Sequence, residues 1–285
     1  MKYAFSTLGL PGSTIDRSAA LAAAHGFQGL ELRAHPEEPL HTATPASERK
    51  AALRTLRAAG VSAIGVAGYT KVAAAGEDEP VLAELRALVQ LAVDLEAPSV
   101  RVFPGGAALP EPFADTQAVR RLRAAAPFAE RQGVRILLET HDSHRTAAAA
   151  ARVLDQVGHP GAGALWDVLH TWLGGESPSD SMHTLGQHLG YIQVKDVASA
   201  QELTPLGLGA GVLPLAEAVA AAPGDGWLCW EYEKRWYPDA AELPEQLARG
   251  REHLEYLVAA RVTAERDISG GDIAERAGRN TPRPS

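Results

Sequence analysis

The run Ile136-Leu137-Leu138-Glu139-Thr140-His141 decides the reading of this chain. Three apolar residues stop at a carboxylate, and an alanine-rich, helix-like stretch follows. The same pattern returns in Ala164-Leu165-Trp166-Asp167, Tyr191-Ile192-Gln193 and Leu228-Cys229-Trp230-Glu231. Each is a short buried-strand pattern that ends in an oxygen-bearing side chain. Parallel barrels build their active sites at strand C-termini, so one oxygen ligand on each of four neighbouring strands reads as a metal-centred enzyme.

Working outward, strand-like runs alternate with helical runs along the chain. Strands are predicted over Tyr3–Leu8, Gln28–Leu32, Ser62–Val66, Val100–Phe103, Val134–Glu139, Ala164–Asp167, Tyr191–Val194 and Trp227–Glu231. Helices are predicted around Ala20, Leu53, Leu88, Leu122, Ala149, Leu185, Val219 and Leu247. Eight such units in order predict a parallel sheet closed into a (β/α)8 TIM barrel, an α/β fold. An open doubly wound sheet would more often carry a glycine-rich phosphate loop after its first strand. Here that loop is Gly9-Leu10-Pro11-Gly12-Ser13, which lacks the required spacing. Ser13, Thr14 and Asp16 are placed to start the first helix, and Gly60 and Gly133 to end later ones. The barrel is expected to occupy residues 1–262. After it the apolar content collapses, and residues 263–285 read as a flexible polar tail. The stretch Ala198–Val212 reads as a long loop with the option of a lid.

The chain has 285 residues, 46% hydrophobic and 22% charged, and a formal charge of −8. Phosphate backbones need a basic surface, so no nucleic acid is expected as partner. The lone cysteine, Cys229, excludes an intrachain disulfide and reads as a small core residue. No signal peptide or membrane span is legible, so a cytoplasmic enzyme with no membrane partner is expected.

Side chains two apart on a strand face the same way. Leu137, Glu139 and His141 therefore share a face, as do Leu165 and Asp167, Tyr191, Gln193 and Lys195, and Cys229, Glu231 and Glu233. The polar residues fall on the parity of the barrel interior, late in each strand, while Trp166 and Trp230 fall on the helix-facing parity. Glu139, Asp167, Gln193 and Glu231 form a candidate metal set, and hard oxygen ligands favour Mn²⁺ or Mg²⁺, with Zn²⁺ or Co²⁺ as further options. Such an ion would bind adjacent oxygens of a sugar or polyol and stabilise an enediolate. Glu139 and Glu231 come from non-adjacent strands and suit an acid/base pair. His170, in Asp167-x-x-His170, is a third candidate catalytic group. Glu31, His141 and Lys195, the last read beside Asp196 as its partner, are candidate substrate contacts, and Trp172 and Trp236, in loops after strands, are candidate walls of the pocket. Arg101, early in the fourth strand, reads as structural with a carboxylate partner.

Gly29-Leu30-Glu31-Leu32-Arg33, Leu138-Glu139-Thr140-His141, Leu165-Trp166-Asp167-Val168-Leu169-His170, Val194-Lys195-Asp196 and Trp230-Glu231-Tyr232-Glu233-Lys234 together resemble the sugar phosphate isomerase/epimerase family of the xylose isomerase-like TIM barrel superfamily. The resemblance spans about Tyr3 to Leu257. It implies a metal held by Glu139, Asp167, residue 193 and Glu231, an acid/base pair of Glu139 and Glu231, and substrate contact by His170. The departure is Gln193, where the family usually has histidine. The resemblance also implies a homo-oligomer and a small sugar or polyol substrate. A metal-dependent isomerase or epimerase is the leading expectation. A lyase dehydrating a keto-polyol or cyclic keto-acid at the same site is the second. A non-catalytic sugar-binding barrel is the alternative should Gln193 abolish metal binding.

Overall fold

The computed structural model of the chain describes residues 1–278. Eight parallel strands close in sequence order, β1 through β8, with β1 pairing to β8. The strands are β1 Lys2–Ser6, β2 Gly29–Arg33, β3 Ser62–Lys71, β4 Ser99–Phe103, β5 Arg135–Glu139, β6 Ala162–Asp167, β7 Leu189–Val194 and β8 Trp227–Trp230. Helices surround them: α1 Ile15–Ala24, α2 Ala46–Ala58, α3 Asp78–Asp94, α4 Glu111–Arg131, α5 Ala147–Val157, α6 Val168–Leu173, α7 Pro178–Leu185, α8 Leu215–Ala221 and α9 Leu243–Gly278. The (β/α)8 barrel expected from the alternation of runs is therefore the fold. Among the described residues no helix is long and apolar enough to cross a membrane.

Local signals place the elements. The Thr14 hydroxyl accepts the Arg17 amide and starts α1. Gly60 and Gly133 follow α2 and α4 with φ of 68° and 73°, the left-handed turn that lets each helix end and the next strand begin. β3 runs five residues past its expected end at Val66, because Gly68 does not break it. A Cβ on Gly68 would lie 2.5 Å from Leu88 Cδ1, so the glycine admits close packing of α3 on the strand.

Strand parity divides the core in two. Ala4, Ile64, Leu137, Leu165, Tyr191 and Cys229 fill the inside of the barrel as one small cluster. Trp166, Trp230 and the alternate strand residues join the much larger layer between sheet and helices. The interior cluster closes the lower half of the barrel, and polar side chains occupy the strand ends above it. The expected polar segment after Thr263 begins within α9, whose backbone stays helical to Gly278. Residues 279–285 lie outside the described residues.

Helix α9 docks over the β8 tryptophan with no room to spare. A Cβ on Gly250 would lie 2.1 Å from Trp230 Cζ3. Gly250→Val should lower stability by about 1–3 kcal/mol through overpacking, despite a gain in helix propensity. A urea melt with an unchanged midpoint would show that α9 does not depend on this contact.

Candidate active site

The site lies at the C-terminal mouth of the barrel. A cavity of about 140 Å³ opens there, lined among others by Tyr69, Arg101, Glu139, His141, His170, Glu231, Glu233 and Trp236. A larger depression of about 610 Å³, lined by Arg135, His159 and His188, lies at the opposite end. Residues at that N-terminal face of a barrel serve stability, so the smaller cavity is the functional one.

Strand ends deliver the side chains. Glu139 ends β5, Asp167 ends β6, Gln193 is the penultimate residue of β7, and Glu231 follows β8. All four are 4% exposed or less, so they do converge in one buried cluster. Their arrangement differs from the expected ion cage. Lys195 Nζ lies 2.7 Å from Asp167 Oδ2 and 2.8 Å from Glu233 Oε1, and it also binds Glu231 Oε2. An ammonium therefore occupies the space between the carboxylates of β6 and β8. Gln193 turns its amide NH₂ to acids, donating to Glu31 Oε2 at 2.9 Å and to Glu231 Oε1 at 3.0 Å. Two carboxylates demand a donor, so the amide nitrogen rather than its oxygen faces them. Asp167 Oδ1 accepts the Leu169 amide and starts α6. The set Glu139, Asp167, Gln193 and Glu231 thus does not fit a shared divalent ion as assembled, because the Lys195 ammonium sits between Asp167 and Glu231, although Gln193 Oε1 and Glu139 Oε2 have no hydrogen-bond partner.

A different group of ligand-type atoms is compact. One atom each from Glu139, His141 and His170 lies within 4.8 Å of the others, a set able to hold a metal ion. The two imidazoles meet edge to face with centroids 4.0 Å apart. Glu139 Oε2 also lies 3.1 Å from Arg101 Nε, and His141 Nδ1 lies 3.0 Å from Asp142 Oδ1. The carboxylate partner expected for Arg101 is thus a member of the site itself. Arg101 stacks over Phe103, its guanidinium carbon 4.0 Å from the ring centre, and its buried Nη1 has no hydrogen-bond partner.

The remaining expectations sort by geometry. His141 and His170 line the cavity as expected. Glu31 lies beneath it, accepting hydrogen bonds from Tyr191 and Gln193, and supports the site instead of contacting substrate. Lys195 has three carboxylate partners for its three N–H donors, so it is a buried tie and not a free substrate contact. Asp196 is not its partner. That carboxylate instead accepts the amides of Gly209, Gly211 and Leu213 and fastens the loop after β7, which reaches the cavity through Leu203. Trp172 packs on the outer core, away from the cavity. It stands two residues past His170 on α6, about 200° around the helix, so both cannot face the mouth. Trp236, also in a loop after a strand, lines the cavity instead. Sequence reasoning missed Tyr69, Arg101, Phe103 and Leu203. Tyr69 lies in the unforeseen extension of β3, whereas Glu233 carried a legible signal in its parity with Glu231.

Burial sets the protonation pattern. It pushes the Glu139 carboxyl up to about 8, against the pull of Arg101 and His141. Burial raises Glu31 as well, reinforced by Glu231, and raises Glu233 against the pull of Lys195. Burial lowers Lys195, but Asp167, Glu231 and Glu233 outweigh it and hold the ammonium well above its usual value. Burial and the neighbouring His141 and Lys195 hold His170 well below the ordinary histidine range. For His141, Asp142 and Glu139 overcome burial and raise it. The mouth therefore combines a carboxyl raised to about 8, one imidazole held low, another held high, and a guanidinium.

The Glu139 shift makes stability depend on pH. Below the ordinary glutamate value, about 4.3, folded and unfolded chains both hold the proton. From there up to about 8, only the folded protein retains it. A raised carboxyl contributes stability that is complete at low pH and is lost as pH climbs through the folded value. Thermal melts between about pH 5 and pH 8 should show the native protein losing several degrees relative to Glu139→Gln. Parallel curves would place this carboxyl in contact with water.

A sequence model of the xylose isomerase-like TIM barrel family matches residues 19–257. No curated protein matches the chain in sequence. Solved structures share the fold at low identity. D-psicose 3-epimerase with D-tagatose, from Clostridium cellulolyticum H10, is 16% identical with a TM-score of 0.77, over 90% of this chain and 99% of that one. The probable 3-DHS dehydratase AsbF of Bacillus anthracis is 18% identical with a TM-score of 0.76, over 90% and 99%. The IolI protein with a bound zinc atom is 15% identical with a TM-score of 0.75, over 92% and 99%. With the family model covering most of its length, the chain belongs to the xylose isomerase-like TIM barrel family.

Proposed function

We propose that this protein is an isomerase or epimerase of a small polyhydroxylated carbonyl compound, a sugar or keto-polyol, acting by proton transfer at the carbon beside the carbonyl. The observation that carries this reading is one cavity lined by two carboxyls from non-adjacent strands, Glu139 and Glu231, and by a guanidinium with an unpaired donor. Arg101 Nη1 donates to the substrate carbonyl oxygen and stabilises the charge that gathers there as the proton leaves. The Glu231 carboxylate takes the proton, and Glu139 delivers one to the other face or to the neighbouring atom. His170 accepts a hydrogen bond from a substrate hydroxyl or holds the proton in transit, and Trp236 and Phe103 wall the ring or chain of the substrate. The family's sugar epimerases and its dehydratase supply the choice of substrate class. Glu139, His141 and His170 would also hold a divalent ion, which when bound would polarise the substrate carbonyl.

The test is incubation with a panel of ketoses and keto-polyols in deuterium oxide, followed by mass and proton spectra. An isomerase or epimerase places solvent label on the carbon beside the carbonyl while keeping the molecular formula. Glu139→Gln and Arg101→Met should each lower turnover by roughly 100-fold or more, the usual cost of losing an acid or an oxyanion donor. Loss of water from the substrate would assign a dehydratase at the same site. Exchange that survives in both variants would remove Glu139 and Arg101 from the chemistry.

A further inference from the structure

We infer that the Lys195 ammonium is the resident cation of this barrel mouth, standing where a divalent ion would otherwise bridge the acids of β6 and β8. Three observations converge. Nζ contacts Asp167, Glu231 and Glu233 from three directions, and Lys195 is 2% exposed. Two of these contacts are hydrogen bonds, to Glu231 and Glu233, and the third is an ion pair with Asp167 Oδ2. Gln193, on the same strand face two residues earlier, offers Glu231 a donor at 3.0 Å, so its nitrogen serves the acids, while its Oε1 has no hydrogen-bond partner.

The two side chains form one device. A divalent ion here would need Asp167 Oδ2 and Glu231 oxygens as ligands, and both residues already hold the ammonium. It would also be repelled by a positive charge within contact distance in a low-dielectric interior. Lysine carries one charge, is covalently tethered and cannot be removed by chelators. The acids are therefore held in place permanently, without dependence on metal supply. The consequence for the chemistry is that charge on the substrate is met by the guanidinium of Arg101 and the imidazole of His141, both in the cavity wall. The inference concerns the cation of the site and stands whichever reaction the site performs.

Mn²⁺ titration followed by electron paramagnetic resonance tests it on the full-length protein. Native protein and Asp167→Asn should give the same isotherm, since no Mn²⁺ rests on Asp167; an ion held by Glu139, His141 and His170 would leave this equality intact. Lys195→Met should gain a Mn²⁺ site at least roughly 100-fold tighter, because three carboxylates then face one another without a cation. Adding Asp167→Asn to Lys195→Met should abolish the gain. Lys195→Arg keeps the charge and should gain nothing. The inference is overturned if native protein binds one Mn²⁺ that Asp167→Asn weakens tenfold or more, or if folded Lys195→Met gains no site. Should Lys195→Met fail to fold by circular dichroism, the comparison of native protein with Asp167→Asn decides alone.

Discussion

An ammonium buried among acids is the constraint on which the barrel mouth depends. Removing charges from water costs several kcal/mol per ion unless partners compensate in full. Lys195 is compensated three times over, by side chains that arrive from β6 and from the segment after β8. These contacts tie β7 to the strand on either side, so the sheet and the charge cluster support one another. Deleting the lysine would leave three carboxylates facing each other, which is far more costly than losing a surface ion pair.

The rest of the mouth follows from surplus negative charge. Glu31, Glu139, Asp167, Glu231 and Glu233 share the region with Lys195 and Arg101 as its permanent cations. Burial among like charges raises Glu31, Glu139 and Glu233 and so favours their neutral forms. Gln193 contributes without charge, using one amide group to satisfy two acids on different strands. Glu139 is set apart from the others by facing the cavity with Arg101 at its side. A carboxyl that keeps its proton near neutrality beside an imidazole that sheds its own is the pairing that proton-transfer chemistry requires.

The scaffold explains why the same strands serve both ends. The lower interior is filled by Ala4, Ile64, Leu137, Leu165, Tyr191 and Cys229. Tyr191 joins the two levels, packing in this layer while its hydroxyl binds Glu31. The loop after β7 is fastened by Asp196 and brings Leu203 to the cavity wall. The dipeptide Lys195-Asp196 thus sends one charge inward to the acids and the next outward to the loop, as strand alternation dictates.

The amino-acid sequence by itself determined the barrel, the strand order and the inward parity of Glu139, Asp167, Gln193, Lys195 and Glu231. Those features rest on local periodicity, and a period of two is legible without coordinates. It also placed Trp166 and Trp230 against the helices. Only the tertiary structure decided what the inward groups do to one another. Which atom of Gln193 faces Glu231, whether Lys195 meets its neighbour Asp196 or Asp167 of the adjacent strand, and which of Trp172 and Trp236 reaches the cavity depend on contacts between different segments of the chain. Arg101 became a cavity residue only through contact with Glu139, which lies on the next strand but 38 residues along the chain. Charges at a strand end can be read one strand at a time; their pairing is settled by distances of a few ångströms that no single strand encodes.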